Sequence, residues 1–305
     1  LVPHPFPYVQ VMRMGGRIRR VATAAGAVLL AAGMGGCGTS VSVVTEGVAQ
    51  GPTVAIGVAA DQPGLGWLHG GEYSGFDIDV AKYVAKTLGY AEKQVVFRQV
   101  TPSARITSLA DGTVDMIVDS FSVDDASDGR VDVSGPYLTV HEALLVRSDE
   151  SSAIKGTDDL DGKTVCAVTG STASHEIRDR AGNAVVRERG TYPQCVTALM
   201  VGEADAIATD DAIATGLAAN NKGDHLSVVD IPDAEWSYGI AVKSGQSELV
   251  GQIDAALRTM AKDGSWRRAV DDMNGMIGYV PDVKTNPPAA LSKDSSSDPS
   301  TPSEK

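Results

Sequence analysis

A helix-to-strand passage occurs twice in this chain, and it limits the folds open to it. Gly112-Thr113-Val114-Asp115-Met116-Ile117 returns as Gly202-Glu203-Ala204-Asp205-Ala206-Ile207, at a constant offset of 90 residues. Each copy follows a segment of helical periodicity and runs into a short apolar stretch, the signature of a buried strand. Polar residues stand at the far end of each strand, Ser120 in the first and Asp210 in the second. Ligands of open α/β sheets sit beyond the carboxyl ends of strands. Two similar α/β lobes, with Ser120 and Asp210 facing across a hinged cleft, are therefore expected. A chance likeness of six residues is the alternative.

The rest of the chain alternates in the same way. Strands are predicted over 54–58, 95–99, 140–146, 164–168, 184–186, 204–208 and 238–242. Helices are predicted over 172–180, 192–201, 211–220 and 248–262, with another from Ser265. Gly75-Phe76-Asp77-Ile78-Asp79 opens the first helix, where Val80, Val84 and Leu88 share a face and Gly89 ends it. Ser103 is the expected cap of a helix running to Ala110. Arg105 lies in its first turn, where the macrodipole does not favour a cation; it is either a surface residue or held there for another purpose. From Pro281 the composition turns to Asn, Pro, Ser and Asp, which predicts a disordered tail over 281–305.

The net charge of −13 argues against binding of nucleic acid through its backbone. The beginning of the sequence reads as a leader rather than as fold. Arg13, Arg17, Arg19 and Arg20 precede a short apolar run and then Gly35-Gly36-Cys37. This is similar to a lipoprotein-type signal over 1–36, with Met34 in place of the usual Leu and lipidation of Cys37; an ordinary signal peptide or an uncleaved anchor is the alternative. A tether over 37–51 would follow, at the extracytoplasmic face of the membrane. Two cysteines then remain, Cys166 and Cys195. Outside the cytoplasm such a pair reads as a disulfide, stabilising by roughly 3 kcal/mol in the chain-entropy view; two buried free thiols are the alternative. No metal or other cofactor is expected.

Four landmarks carry a family resemblance. They are Gly75 to Val80, Asp115 to Tyr137, Gly162 to Thr172, and Tyr238-Gly239-Ile240-Ala241-Val242. In this order and spacing they resemble the bacterial extracellular solute-binding proteins of family 3, which serve polar amino-acid ABC importers. Asp61-Gln62-Pro63-Gly64-Leu65-Gly66 and Thr209-Asp210-Asp211 are most similar to the glutamate-binding members of actinobacteria. The resemblance implies a two-lobed periplasmic-binding-protein-like α/β fold of type II. Its lobes would be 52–147 plus 238–280 and 148–237, joined by strands crossing near Arg147 to Ser151 and Glu235 to Ser237.

It also implies a set of ligand contacts. Ser120, Ser122, Ser171 and Thr172 match hydroxyl donors to a carboxylate or amine, and Asp210 matches the acid that meets the α-ammonium group. Arg105 matches a contact to a side-chain carboxylate. Asp61, Gln62, Asp124 and Trp67 complete the candidate set, Trp67 as an aromatic wall. One departure stands out. The family places an Arg where this chain has Ser127, and Asp124 replaces a Thr. Together with Asp119, this predicts a more acidic site, suited to a cationic or neutral ligand, and leaves Arg105 or Arg130 to take any carboxylate. The expected function is a monomeric, lipid-anchored receptor that delivers an amino acid (glutamate- or glutamine-like) or related amine to an ABC permease. A sensor of the same fold is the first alternative. A dehydratase-like enzyme drawing on Glu72, Asp124 or His141 is the second.

Overall fold

The computed structural model describes residues 51–126, 129–221 and 225–292. In chain order its elements are β1 (Val54–Val58), β2 (Trp67–His69), β3 (Glu72–Ser74), α1 (Phe76–Thr87), β4 (Val95–Gln99), α2 (Arg105–Ala110), β5 (Met116–Ser122) and β6 (Val131–Arg147). There follow β7 (Thr164–Val168), α3 (Thr172–Arg180), β8 (Val185–Arg189), α4 (Tyr192–Met200), β9 (Ala206–Asp210), α5 (Asp211–Asn220), β10 (Leu226–Lys243), α6 (Ser247–Lys262), α7 (Ser265–Ile277) and α8 (Ala289–Ser292).

Eight strands form one sheet in the order β4-β1-β5-β10-β6-β9-β7-β8. The three strands at each end are mutually parallel, and the long β10 and β6 join them antiparallel. Each parallel trio with its helices is one lobe. The repeat has a structural cause. Asp115 accepts the Ala55 N–H at 2.7 Å, and Asp205 accepts the Thr164 N–H at 2.7 Å. The same aspartate thus pins the first strand of each lobe to its neighbour, which sends β5 and β9 toward the cleft with Ser120 and Asp210 at their ends.

Three expectations about strands, crossing and cap are corrected. β6 and β10 are far longer than predicted, at 17 and 18 residues. Asp132, Ser134, Gly135 and Pro136 in β6, and Asp230, Pro232 and Asp233 in β10, read locally as turns. Pairing overrides that preference at Asp132, Ser134 and Asp230, whereas Gly135, Pro136, Pro232 and Asp233 fall in the two irregularities of the β6–β10 register, where proline is tolerated within a long strand. The first crossing also falls earlier than Arg147 to Ser151. β6 already pairs with β9 from Glu142 onward, and the register of β10 breaks between Ile231 and Glu235. The polar stretch after Arg147 marks the far end of a strand, not the passage between lobes. Finally, Ser103 does not cap α2. Pro102–Ala104 is a 3-10 turn, and Ala104 occupies the cap position without a side-chain bond.

The helices follow their apolar spacing. α7 buries Trp266, Ala269, Val270, Met273 and Ile277 on one face, and Trp266 meets Phe76 of α1 edge-on at 6.1 Å. Gly75, which precedes α1, has φ 112°, and a Cβ there would lie 2.1 Å from the Leu65 carbonyl oxygen. Only glycine fits such a turn. In the other lobe a disulfide joins Cys166 of β7 to Cys195 of α4, with Cα atoms 5.6 Å apart.

The segment after Pro281, expected to be disordered, is packed as far as Leu291. Asn286 accepts the Thr139 N–H at 2.9 Å and donates to the Thr139 carbonyl at 2.8 Å, as a paired strand would. Leu291 is buried. Thr139 lies on β6 just before the crossing and also bonds Ser237 of β10. Composition gave no sign of this, because one side chain supplies the bonds. Asn286→Ala leaves two buried main-chain groups unpaired and is expected to cost about 2 kcal/mol. That corresponds to a fall in Tm of roughly 4–8 °C, read by thermal unfolding; an unchanged Tm would mean the strap contributes nothing.

Candidate ligand cleft

A small cavity of about 10 Å³, the space of about one water, lies between the strand ends of the two lobes. Arg105 and Ser120 line it from the first lobe. Ser171, Thr172, Tyr192, Thr209 and Asp210 line it from the second, and Trp236 of β10 from the crossing.

Ser120 is the one described non-glycine residue with positive φ, at 44°. Such strain costs on the order of 1–3 kcal/mol and persists where the surroundings impose it. Here the Ser120 N–H donates to buried Asp77 at 2.9 Å, and Tyr137 O–H donates to the other oxygen of Asp77 at 2.9 Å. The Ser120 hydroxyl then meets Gln62 at 3.0 Å and Arg105 at 3.3 Å. Asp77, in the first turn of α1, thus holds this turn.

Arg105 is buried rather than on the surface, at 3% exposure. Its Nε donates to Asp119 at 3.0 Å, and Nη2 donates to the Asp119 carbonyl. Asp119 is fully buried and does not line the cavity, so it neutralises Arg105 from behind. Burial pushes the Asp119 carboxyl up, opposed by the Arg105 guanidinium. Across the cleft, Asp210 caps α5 by accepting the Ile213 N–H at 2.8 Å, and its other oxygen accepts the Tyr238 O–H. Burial pushes Asp210 up to about 7. Ser171 caps α3 by accepting the Ser174 N–H at 3.2 Å, so the N-terminus of that helix opens onto the cavity. The cleft therefore offers an anion-favouring side, made of Arg105, hydroxyls and a helix start, and an acid, Asp210.

The lobes are closed on one another. Asp61 accepts the Tyr192 N–H at 3.0 Å, and Thr172 donates to Asp125 at 2.9 Å. A Cβ on Gly216 of α5 would lie 2.0 Å from the Pro63 carbonyl oxygen.

The candidate residues divide as follows. Arg105, Ser120, Ser171, Thr172 and Asp210 come together around the cavity. Gln62 supports Ser120, and Asp61 bridges the lobes. Ser122 is buried beside the cleft, accepting the Asp124 N–H, and neither it nor Asp124 is in the lining. Trp67 stacks on His69 with ring centres 4.6 Å apart and also lies outside the lining. The aromatic walls are Tyr192 and Trp236 instead. Trp236 sits within the stretch read as a crossing, where its ring was the available signal; Tyr192 had none beyond opening a helix. The expected acidity of the site is also corrected, since neither Asp119 nor Asp124 faces the cavity. Ser127 lies outside the described residues, as do Cys37 and the leader.

Two lobes, paired crossing strands and a closed polar cleft define a hinged binding protein. The chain belongs to the bacterial extracellular solute-binding proteins of family 3, whose pattern matches residues 54–275. It is 41% identical over 197 residues to the ABC transporter glutamine-binding protein GlnH of Bacillus subtilis, covering 64% of this chain and 71% of that one. It is 36% identical over 249 residues to the glutamate-binding protein GluB of Corynebacterium efficiens, covering 78% and 84%. Among solved structures, an ancestral arginine-binding protein bound to glutamine matches with a TM-score of 0.68 at 30% identity, over 75% of this chain and 99% of that one. The ancestral amino-acid-binding protein AncCDT-1, described as a precursor of cyclohexadienyl dehydratase, matches with a TM-score of 0.65 at 28% identity, over 73% and 95%. All four are binding proteins, which sets the enzyme alternative aside.

Proposed function

We propose that this protein captures a small α-amino acid of the glutamine or glutamate class outside the cytoplasm and presents it to an ABC permease. The observation that carries this reading is the charge pattern of the cleft, with Arg105 on one lobe facing the α3 start and Asp210 on the other, complementary to a zwitterion. The relatives named for glutamine and glutamate support it. The ligand touches both lobes, so it binds the closed form better and shifts the population toward it. A lipid on Cys37 would hold the monomeric protein at the outer face of the membrane. A thermal-shift screen of amino acids and polyamines tests the ligand class. A ligand present at 100 times its Kd adds about 2.7 kcal/mol of stability; a shift with polyamines alone would overturn the reading.

Closure gives a separate test. Gly216→Ala is expected to keep or improve the helix while its methyl meets Pro63 and disfavours the closed form. Affinity should fall about tenfold or more, because apparent Kd rises as the competent fraction falls. Unchanged affinity with unchanged compaction in small-angle scattering would contradict this.

Binding should also move a proton. With its folded pKa raised to about 7, free Asp210 holds a proton at pH 6 that the ligand ammonium must displace. Affinity should weaken as pH falls below about 7, and calorimetry in buffers of different ionisation enthalpy should show proton release at pH 6. For folding the sign is opposite to that of an ordinary carboxylate. Asp77 and Asp210, both raised to about 7, hold protons that the unfolded chain releases, so they stabilise most below about 4 and lose that contribution as pH rises to 7.

A further inference from the structure

Asp210 caps α5, and one bond that fixes the start of that helix comes from the opposite lobe. Asp211, the first residue of α5, accepts two hydrogen bonds on one oxygen, Oδ1. One comes from the main-chain N–H of His141, on β6 beside the crossing, at 3.2 Å. The other comes from the Tyr279 hydroxyl at 3.0 Å. Tyr279 follows α7, whose Trp266 packs on Phe76 of α1 in the first lobe. Its side chain is buried, at 5% exposure. Burial and the Asp211 carboxylate push its hydroxyl up, so it keeps its proton and donates.

The surroundings fix Tyr279 to the first lobe and set it against the second. The turn at Pro63 and Gly64 lies between the end of α7 and α5. A Cβ on Gly64 would lie 2.5 Å from the Ile277 side chain, and one on Gly216 would lie 2.0 Å from the Pro63 carbonyl oxygen. Beyond Tyr279 the chain follows the crossing. Asp282 lies 3.8 Å from His141 Nε2, and Asn286 bonds the N–H and the carbonyl of Thr139. Residues 279–286 thus form a further link between the lobes beside β6 and β10. Those strands cross as main chain, whereas this link reaches α5 through one hydroxyl.

We propose that Tyr279 is a positioning residue for ligand capture: through Asp211 it holds the start of α5, and with it the Asp210 carboxylate, in the closed arrangement. Tyr279 lies outside the cavity lining, so it acts without touching the ligand. Opening carries α5 with the second lobe and α7 with the first, and the bond between them belongs to the closed form. This role rests on the amino-acid reading above and adds to it a residue that acts from outside the cleft.

The test is stopped-flow binding of L-glutamine and L-glutamate to the wild type, Tyr279→Phe, Asp211→Ala and the double variant. Tyr279→Phe keeps the buried ring and removes only the hydroxyl, so it is expected to fold. Its dissociation rate should rise about fivefold with the association rate unchanged, because a contact made only in the closed form slows escape. In the Asp211→Ala background the same substitution should change dissociation by less than about twofold, since its partner is already gone. A hydroxyl that serves only the fold lowers Tm and leaves the dissociation rate where it was. A dissociation rate for Tyr279→Phe within about twofold of the wild type, or an equal rise in the Asp211→Ala background, overturns the role and leaves the amino-acid reading intact. Binding of neither amino acid to the wild type overturns both.

Discussion

Arg105→Met is expected to destabilise the fold by about 3–5 kcal/mol, the cost of leaving a buried charge without its partner. Asp119 is fully buried, and the atoms that answer it come from Arg105. One carboxylate oxygen, Oδ1, has no hydrogen-bond partner, so little is left to hold the charge once the guanidinium is removed. Arg105→Met combined with Asp119→Leu should recover most of the loss, since a buried ion pair replaced by apolar groups of similar size is often neutral or better. Urea unfolding of the single and double variants reads this directly. A single variant as stable as the wild type would mean that Asp119 is neutral in the native protein. The double variant also separates two roles of Arg105: it should fold and yet fail to hold a carboxylate-bearing ligand.

Asp210→Asn should abolish tight binding while sparing the fold. Asparagine retains an oxygen for the Ile213 N–H, so the cap of α5 is kept. Its amide can meet the Tyr238 hydroxyl. What is lost is the charge facing the ammonium group, and truncating one partner of a buried charged pair costs about 2–5 kcal/mol. Affinity is expected to fall by about 100-fold or more, with Tm in the absence of ligand nearly unchanged or raised. A loss of threefold or less would show that the ammonium is bound elsewhere.

Much of the fold could be read because its determinants are local. The aspartate of each repeat bonds the strand beside it, and the six-residue pattern travels with that bond. The helix opened by Gly75 and the helix that became α6 were equally plain. The long crossing strands were not. Asp132, Gly135, Pro136 and Pro232 carry turn preferences; Asp132 is held in the strand by its distant partner Val242, and the other three sit in irregularities that only the register of the long pair creates. Asn286 illustrates the same limit, since its two bonds to Thr139 span 147 positions.

The site was legible in part for a related reason. Ser120, Ser171, Thr172 and Asp210 stand at strand ends and helix starts, positions that a sequence marks. The role of Asp119 could not be read, because whether an acid faces the ligand or the back of an arginine depends on which way a strand residue points, and here Ser120 adopts a positive φ that resets the alternation. Trp67 and Trp236 differ in the same sense. One lies on a small hairpin and the other on the crossing strand, and only the three-dimensional path brings Trp236 to the cleft.

The most direct measurement is a calorimetric titration of L-glutamine and L-glutamate into the wild-type protein after unfolding, dialysis and refolding to remove any carried ligand. Saturable one-to-one binding of at least one of them, with a Kd of about 10 μM or tighter, is the expected result. Absence of binding by both up to about 1 mM would contradict the assignment of the cleft as an amino-acid site.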